Sequence, residues 1–243
     1  MPTAARMLLA LLALLIAGCS LTKDQPTDPD KKRPLKVQHA QGETRVPFLS
    51  DRSATVDPAA LETALALGVE PLGTTSWNRD GSQPAYLRRA TTGIEPVGYA
   101  PAPDFETLHR LEPDVIIGND LFQQRLYDRF SKIAPTVYSG IPLKDWKGDV
   151  RFFGEALGRS DQGEELLIDW DRRVGRARQA IGDDPPSTLR LPRDLRDYLD
   201  RSFVDSVLAD VGLPAGAAVA TGKGGGIIAA RQILDVVERQ ARG

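Results

Sequence analysis

The sequence has little of the chemistry from which metal centres and catalytic sites are built. It contains one cysteine, Cys19, and two histidines, His39 and His109. A disulfide within the chain and a cysteine-type zinc site are therefore excluded. Carriers of bare zinc or manganese need several converging histidines and carboxylates, which disfavours that class as well. No G-x-S-x-G nucleophile motif occurs, and neither histidine has an evident serine partner, so a hydrolase is disfavoured.

A large excess of charge of one sign is also missing. The 243 residues carry a formal net charge of −2, and 26% of them are charged while 41% are hydrophobic. This balance is typical of a globular protein and gives no support to nucleic acid as a partner. The length is sufficient for one large domain or two small ones.

A complete phosphate-binding loop is lacking too, although glycine is abundant near the end of the chain. The stretch GAAVATGKGGGII places five residues between Gly216 and Gly222, one more than a Walker loop allows. Gly224 stands where such a loop needs a serine or threonine for magnesium. We therefore interpret these glycines as a tight turn and close packing before a last helix, Ile227 to Arg239, rather than as a nucleotide site.

What is present at the N-terminus is a pattern typical of an exported lipoprotein. Arg6 precedes an unbroken apolar run, Met7 to Ile16, which is shorter than the ~20 residues that span a membrane. The run leads into Ile16-Ala17-Gly18-Cys19, which resembles a bacterial lipobox. We expect residues 1–18 to be removed, Cys19 to be lipidated, and residues 19–36 to form a flexible tether. The predicted location is extracytoplasmic, in the periplasm or at the cell surface, anchored to the membrane. A plain signal peptide with an incidental cysteine is the alternative.

Further along the chain, short apolar segments alternate with helical patterns. Asp57 and Asp104 are expected to cap the helices that follow them. Alternating strands and helices predict a parallel sheet, whose ligands bind beyond the carboxyl ends of the strands. The expected elements are a hairpin turned at Gln41-Gly42, strands at 54–56, 69–73, 115–118 and 136–138, and helices at 121–133, 146–157, 161–181 and 202–211.

The order of several segments is more informative than any single motif. They are VQHAQGETRVP (37–47), DPAALETALALGVEPLG (57–73), GIEPVGYAPAPDFETLHRLEPDVIIGND (93–120), LYDRFSKIAPTV (126–137), WKGDVRFFGEALGR (146–159), SFVDSVLADVGLP (202–214) and GGGIIAARQILDVVER (224–239). In this order they resemble the substrate-binding lipoproteins of iron–siderophore ABC importers. The resemblance runs through most of residues 37–243.

The resemblance implies an α/β fold of two Rossmann-like lobes joined by a long helix. The lobes would be residues 37–143 and 184–243, with the connecting helices in 144–183. It also implies a monomer that performs no chemistry and has no covalent cofactor. Such a protein captures a ferric siderophore between its lobes and then docks on an ABC transporter permease. A vitamin B12 or haem binder on the same fold is an alternative. So is a surface lipoprotein that acts in protein–protein interaction or is a remnant.

The candidate ligand-binding residues follow from the chemistry of such a ligand. A ferric siderophore already satisfies the coordination of iron and is often anionic, so its receptor needs cations and aromatic faces. For each candidate, a structural role at the lobe edge or a solvated position is the alternative. The candidates are Trp77, Arg79, Tyr86, Arg88 and Tyr99, with Trp77, Arg88 and Tyr99 preferred.

Docking on a permease in this family resembles a two-point contact, in which one acidic group on each lobe meets arginines. Glu62 is the candidate on the first lobe, and Asp205 or Asp210 is the candidate on the second. An ordinary solvated carboxylate is the alternative at each of these positions.

The sequence departs from the family at two places. Phe122-Gln123 stands where many relatives offer a basic pair, which weakens the prediction of an anionic ligand at that loop. Only residues 215–223 separate Pro214 from the glycine-rich end, so about 50 residues of a usual ~100-residue lobe are missing. A natural deletion, a defective gene and an assembly or gene-model error are the competing explanations. We expect a thin, loosely packed second lobe with one or two strands, an open sheet edge and little core.

Overall fold

The computed structural model describes residues 33–183 and 185–241. The predicted signal peptide, Cys19 and most of the predicted tether lie outside these residues. From Pro34 onward the described chain forms one compact unit. The boundaries expected after residues 143 and 183 therefore stay predictions.

The hairpin expected near the start of the described chain is confirmed. Strands β1 (Leu35–His39) and β2 (Gly42–Val46) pair antiparallel, with His39 opposite Gly42. Gly42 has a φ of 121°, which favours glycine and allows the tight turn. The backbone N–H of Ala40 donates to Tyr138 O at 3.0 Å, which ties the hairpin to the main sheet.

The main sheet of the described residues is built from six strands. They are β3 (Ser53–Thr55), β4 (Gly73–Ser76), β5 (Glu95–Tyr99), β6 (Ala102–Pro103), β7 (Val115–Asn119) and β8 (Thr136–Ser139). Their order is β6-β5-β4-β3-β7-β8, and every neighbouring pair is parallel except β5 with β6. The chain leaves the central β3 toward β4 and β5, then crosses back to β7 and β8. A reversal of this kind opens a crevice at the carboxyl ends of the strands, where ligands of such sheets bind.

Two helices that flank the sheet begin where the sequence predicts. Asp57 caps α1 (Pro58–Ala66), and Asp104 caps α2 (Phe105–Leu111). Each carboxylate accepts hydrogen bonds from two backbone N–H groups of the first turn, which stabilises the start of the helix.

Two predicted elements are wrong in their bounds. The strand expected at 69–73 lies later, as β4, because Pro71 lacks the N–H that a central strand donates. The helix expected at 121–133 is broken into α3 (Asp120–Gln123), a 3-10 turn and α4 (Tyr127–Phe130). Gln123 interrupts it at a φ of −126°, where its side-chain amide donates to the backbone oxygen of Val56.

The helices expected after the sheet are present, and residues 185–241 are helical as well. The 22-residue helix α6 buries Leu167, Trp170, Val174 and Ala177 at helical spacing. No helix of the described residues combines the length and the apolar character needed to cross a membrane. The helices are α5 (Trp146–Ala156), α6 (Ser160–Ile181), α7 (Arg193–Tyr198), α8 (Arg201–Asp210) and α9 (Ile227–Ala241).

The expectation of a thin C-terminal lobe with one or two strands and little core is wrong for residues 185–241. These residues form helices. The β-type backbone pairing among them is a single parallel bridge between Leu199 and Gly224. They share a buried apolar cluster with α5 and α6, in which the Trp146 ring lies 4.8 Å from that of Trp170. Helix α9 also packs against α1 and α6. The truncated C-terminal segment therefore shares its core with the rest of the chain.

Candidate functional site

Three aromatic side chains meet at the carboxyl ends of the parallel strands. Trp77 follows β4, Tyr99 ends β5, and Phe122 lies on α3 directly after β7. The Trp77 ring centroid lies 6.4 Å from that of Tyr99 and 5.1 Å from that of Phe122, and both pairs are edge to face. Edge-to-face contact is a favourable arrangement for aromatic rings. Trp77, Tyr99 and Phe122 form what we term the aromatic cluster.

Two basic side chains flank the aromatic cluster. The guanidinium carbon of Arg79 lies 5.3 Å from the centroid of the Tyr99 ring, and Lys223 Nζ lies 5.7 Å from that of the Trp77 ring. Both side chains are exposed, and within the described residues neither forms an ion pair with a carboxylate. Aromatic faces beside cations without a counter-ion suit an anionic ligand that has an apolar or planar body.

The loop that carries Trp77 and Arg79 is held by hydrogen bonds of its own. Ser76 Oγ donates to Ser82 O at 2.6 Å and accepts from the backbone N–H of Asn78 at 3.0 Å. Asn78 Nδ2 also donates to Ser82 O, at 2.8 Å. These bonds close the loop on itself, so Trp77 and Arg79 are presented from an ordered turn.

Phe122 is held in the cluster by its neighbour Gln123. The buried amide of Gln123 donates to the backbone oxygens of Val56, after β3, and of Ala100, after β5. This fixes α3 across the crevice between the two halves of the sheet. Phe122 and Gln123, which stand where many relatives have a basic pair, therefore have structural roles. Phe122 supplies an aromatic face, and Gln123 anchors the helix that carries it.

Trp77 also has a structural role. It is half-buried and packs against the core formed by α5 to α9. Its Nε1 is buried and has no hydrogen-bond partner among the described residues. The indole therefore contributes its ring rather than a hydrogen bond, and covering the core does not exclude contact with a ligand.

Within the described residues, Tyr86 and Arg88 make no ring or cation–π contact with the aromatic cluster. The Tyr86 hydroxyl donates to Glu62 Oε1 at 2.7 Å, and its ring lies 6.1 Å from that of Tyr198. Arg88 is exposed at a cavity of about 250 Å³, which is also lined by Asn78 and Ser82 of the Trp77 loop and by Asp194 and Asp197 of α7. The structure thus brings together Trp77, Arg79 and Tyr99 of the five candidates, and a role for Tyr86 or Arg88 in binding stays a prediction.

Glu62, the predicted docking carboxylate of the first lobe, is fully buried between α1 and α9. Its Oε2 accepts the backbone N–H of Ala229 at 2.7 Å, while its Oε1 accepts the hydroxyl of Tyr86. Burial raises the pKa of this carboxyl to about 7, and the two hydrogen bonds lower it only in part. The expectation of a surface position for Glu62 is therefore wrong in this structure, because α9 covers it.

The two candidates on α8 are only partly exposed, and both are already engaged. Asp205 accepts the backbone N–H of Gly216 at 2.8 Å and lies 3.8 Å from Arg201 Nε. Asp210 accepts the indole N–H of Trp170 and pairs with Lys147 Nζ, both at 2.8 Å. Their proposed contact with a permease stays a prediction.

Metal ligands do not converge in the described part of the chain. Within residues 33–183 and 185–241, no group of three or more histidine, cysteine, aspartate or glutamate side chains is placed to hold a metal ion. His39 Nε2 is engaged with Thr44 Oγ1 at 2.8 Å, at the hairpin.

Sequence reasoning missed two residues of the site, Phe122 and Lys223. Phe122 follows the carboxyl end of a predicted strand, and that position could have identified it as a candidate ligand-binding residue. Lys223 is the only residue of 222–226 that has a side chain, but nothing in the sequence shows that it meets Trp77.

Comparison with known proteins places the chain in a family. Residues 54–194, more than half of the chain, match the family described as periplasmic binding protein. The achromobactin-binding periplasmic protein of Dickeya dadantii is 36% identical over 174 residues, which cover 68% of this chain and 56% of that protein. The Bacillus subtilis protein named "Probable siderophore-binding lipoprotein YfiY" is 29% identical over 209 residues, which cover 83% of this chain and 64% of that protein. The crystal structure of Staphylococcus aureus SirA complexed with staphyloferrin B is similar with a TM-score of 0.61 and 27% identity, over 75% of this chain and 64% of that one.

The chain spans less than two thirds of the length of these curated relatives. This agrees with the truncation that the sequence predicts for the second lobe. The predicted fold class is confirmed in its main features, an α/β first lobe with a parallel sheet, a long helix and a truncated second lobe. The chain belongs to the periplasmic binding protein family.

Proposed function

We propose that this protein is the substrate-binding component of an ABC importer and captures a ferric siderophore without performing chemistry on it. The observation that carries the proposal is the aromatic cluster flanked by Arg79 and Lys223 at the carboxyl ends of the strands. The names of the relatives support it, since they include binding proteins for achromobactin and for iron–citrate.

The chemistry of the site suits a ligand whose iron is already coordinated. A chelate of this kind needs no ligand atoms from the protein, so aromatic faces and cations are sufficient to recognise it. The rings of Trp77, Tyr99 and Phe122 would pack against its apolar or aromatic body. Arg79 and Lys223 would pair with its negative groups.

The proposal includes a place outside the cytoplasm and a permease as partner. The lipobox sequence at Cys19 supports anchoring by lipid, although Cys19 lies outside the described residues. Docking through the second lobe would use Asp205 or Asp210, while Glu62 could take part only if α9 moved away.

Tryptophan fluorescence tests the proposal directly. Trp146 and Trp170 are buried in the core, so Trp77 is the tryptophan that a ligand can reach. We expect sub-micromolar ferric catecholate, hydroxamate or citrate chelate to quench the emission. In Trp77→Phe the quenching should largely disappear, while calorimetry should still detect binding because a ring remains.

The alternatives predict other outcomes. Quenching by haem or vitamin B12, with none by ferric chelates, would favour those ligands on the same fold. The absence of any response from a protein with a folded circular dichroism spectrum would contradict the proposal. That result would favour an interaction or remnant lipoprotein.

A further inference from the structure

The segment 222–226 consists of four glycines and Lys223. A β-carbon at Gly222 would lie 2.0 Å from the backbone oxygen of Tyr198, and one at Gly224 would lie 2.3 Å from the Tyr198 ring. Neither contact is sterically possible, so glycine is required for the close approach at both positions. The expectation that these glycines serve close packing is confirmed.

Hydrogen bonds fix the backbone on both sides of Lys223. Its own N–H donates to Tyr198 O at 3.0 Å, and that of Gly222 donates to Leu199 O at 2.9 Å. In the reverse direction, the N–H of Asp200 donates to Gly224 O at 2.7 Å. The α-carbon of Lys223 is therefore held against the turn between α7 and α8.

The side chain of Lys223, in contrast, is exposed and weakly held. Its contact with the Trp77 ring, at 5.7 Å, is of the kind that stabilises an exposed cation only weakly. No carboxylate of the described chain pairs with it. A fixed backbone, a free ammonium group and a position at the aromatic cluster together are what recognition of a ligand requires.

We propose that Lys223 is a specificity-determining residue, which selects ferric chelates that carry negative charge over neutral ones. The inference rests on the proposed function and adds to it the charge class of the ligand. Arg79 lies over the Tyr99 ring, and Lys223 lies over the Trp77 ring. A chelate bound on the aromatic cluster would therefore meet a cation beside two of the three protein rings. The shortened C-terminal segment thereby contributes to the site through a single side chain.

Isothermal titration calorimetry tests this inference. It is preferred to fluorescence because Lys223 lies over the Trp77 ring, so its substitution would itself change the emission. The probes are anionic ferric tris-catecholate and neutral ferric tris-hydroxamate. The variants are Lys223→Gln, Lys223→Arg and the matched control Lys132→Gln, which removes an exposed lysine before the amino end of β8. We expect Lys223→Gln to weaken binding of the catecholate about three- to tenfold, as for a partly solvated charge pair. Lys223→Arg should retain most of the affinity, and Lys132→Gln all of it.

The outcomes separate this inference from the proposed function. Binding of the catecholate with equal affinity by wild type and Lys223→Gln would overturn the role of Lys223 alone. An equal loss for the neutral hydroxamate would also overturn it, since that loss is not one of charge. Wild-type protein that binds neither these probes nor ferric citrate would overturn the proposed function, and the inference with it.

Discussion

The carboxylate of Glu62, on α1, accepts the backbone N–H of Ala229, near the start of α9, at 2.7 Å. The same carboxylate accepts the hydroxyl of Tyr86. It thus satisfies a donor of the first turn of α9, which that helix cannot satisfy by itself. One buried side chain near the start of the described chain therefore holds the last helix in place.

Stability should fall with rising pH because of Glu62. Its pKa is raised from 4.5 to about 7, so the folded protein keeps a proton that the unfolded chain has released. The contribution of Glu62 to the free energy of unfolding is therefore full below about pH 4.5 and decreases by roughly 3 kcal/mol as the pH rises through 7. In Glu62→Gln, which stays neutral, we expect a smaller decrease and a more stable protein at pH 8 than wild type, measured by urea unfolding.

Because of Asp57, the free energy of unfolding of Glu62→Gln should still decrease with rising pH. Burial raises the pKa of Asp57 to about 6, so it contributes a decrease of the same sign that remains in Glu62→Gln. Burial also raises the pKa of Asp149 well above its usual value, with the same sign. Equal slopes for wild type and Glu62→Gln between about pH 5 and pH 8 would contradict any contribution of Glu62.

Gly222→Ala should destabilise the protein, because its β-carbon would lie 2.0 Å from the backbone oxygen of Tyr198. We expect a loss of about 2 kcal/mol, with a lower midpoint of thermal unfolding. Gly175→Ala is the matched control. Gly175 lies in α6 with nothing within 4 Å of its β-carbon position. That substitution should stabilise the protein by about 0.5–1 kcal/mol. Equal effects of the two substitutions would count against the close packing of the glycine segment.

Phe122→Ala should weaken binding of anionic and neutral chelates alike, since it removes a ring and no charge. An aromatic contact of about 0.5–1.5 kcal/mol corresponds to a loss of about two- to twelvefold in affinity. Leu121→Ala is the control, because Leu121 is the preceding residue of α3 and is 54% exposed. Calorimetry that shows equal losses for Phe122→Ala and Leu121→Ala would remove Phe122 from the site.

Cys19→Ala should release the protein from the membrane fraction of the producing cell. The thiol would be the attachment point of the lipid, and the apolar run before it is too short to span a bilayer. Fractionation followed by immunoblotting measures the change, and Ser20→Ala serves as the adjacent control. A Cys19→Ala protein that stays membrane-bound after cleavage of the signal would contradict the lipid anchor.

The sequence was sufficient to predict several local features of this fold, although not the bounds of β4 or the break between α3 and α4. Asp57 and Asp104 cap helices because the carboxylate and the backbone N–H groups that donate to it lie within one turn of each other, and such signals are visible in a short window. The alternation of strands and helices likewise predicted the parallel sheet and the edge at which Trp77 and Tyr99 meet.

Packing between distant segments could not be predicted in this way. Glu62 has the sequence context of a solvated helix carboxylate, and only the docking of α9 buries it. The contact of Lys223 with Trp77 depends on the close approach of the glycine segment to Tyr198. The spacing of apolar residues in the sequence does not predict such an approach. For the same reason a C-terminal segment expected to be loosely packed has a shared core instead.

The packing of α9 on α1 also sets an order of events during synthesis. The hydrogen bond between Glu62 and Ala229 joins residues 167 positions apart, so it forms only when nearly the whole chain exists. Until then the parts of α1 and α6 that pack against α9 have no cover, and pairing over such distances is slow. We therefore expect this packing to form late in folding. In the export that we propose, such a delay would keep the chain competent for passage through a membrane before it folds on the other side.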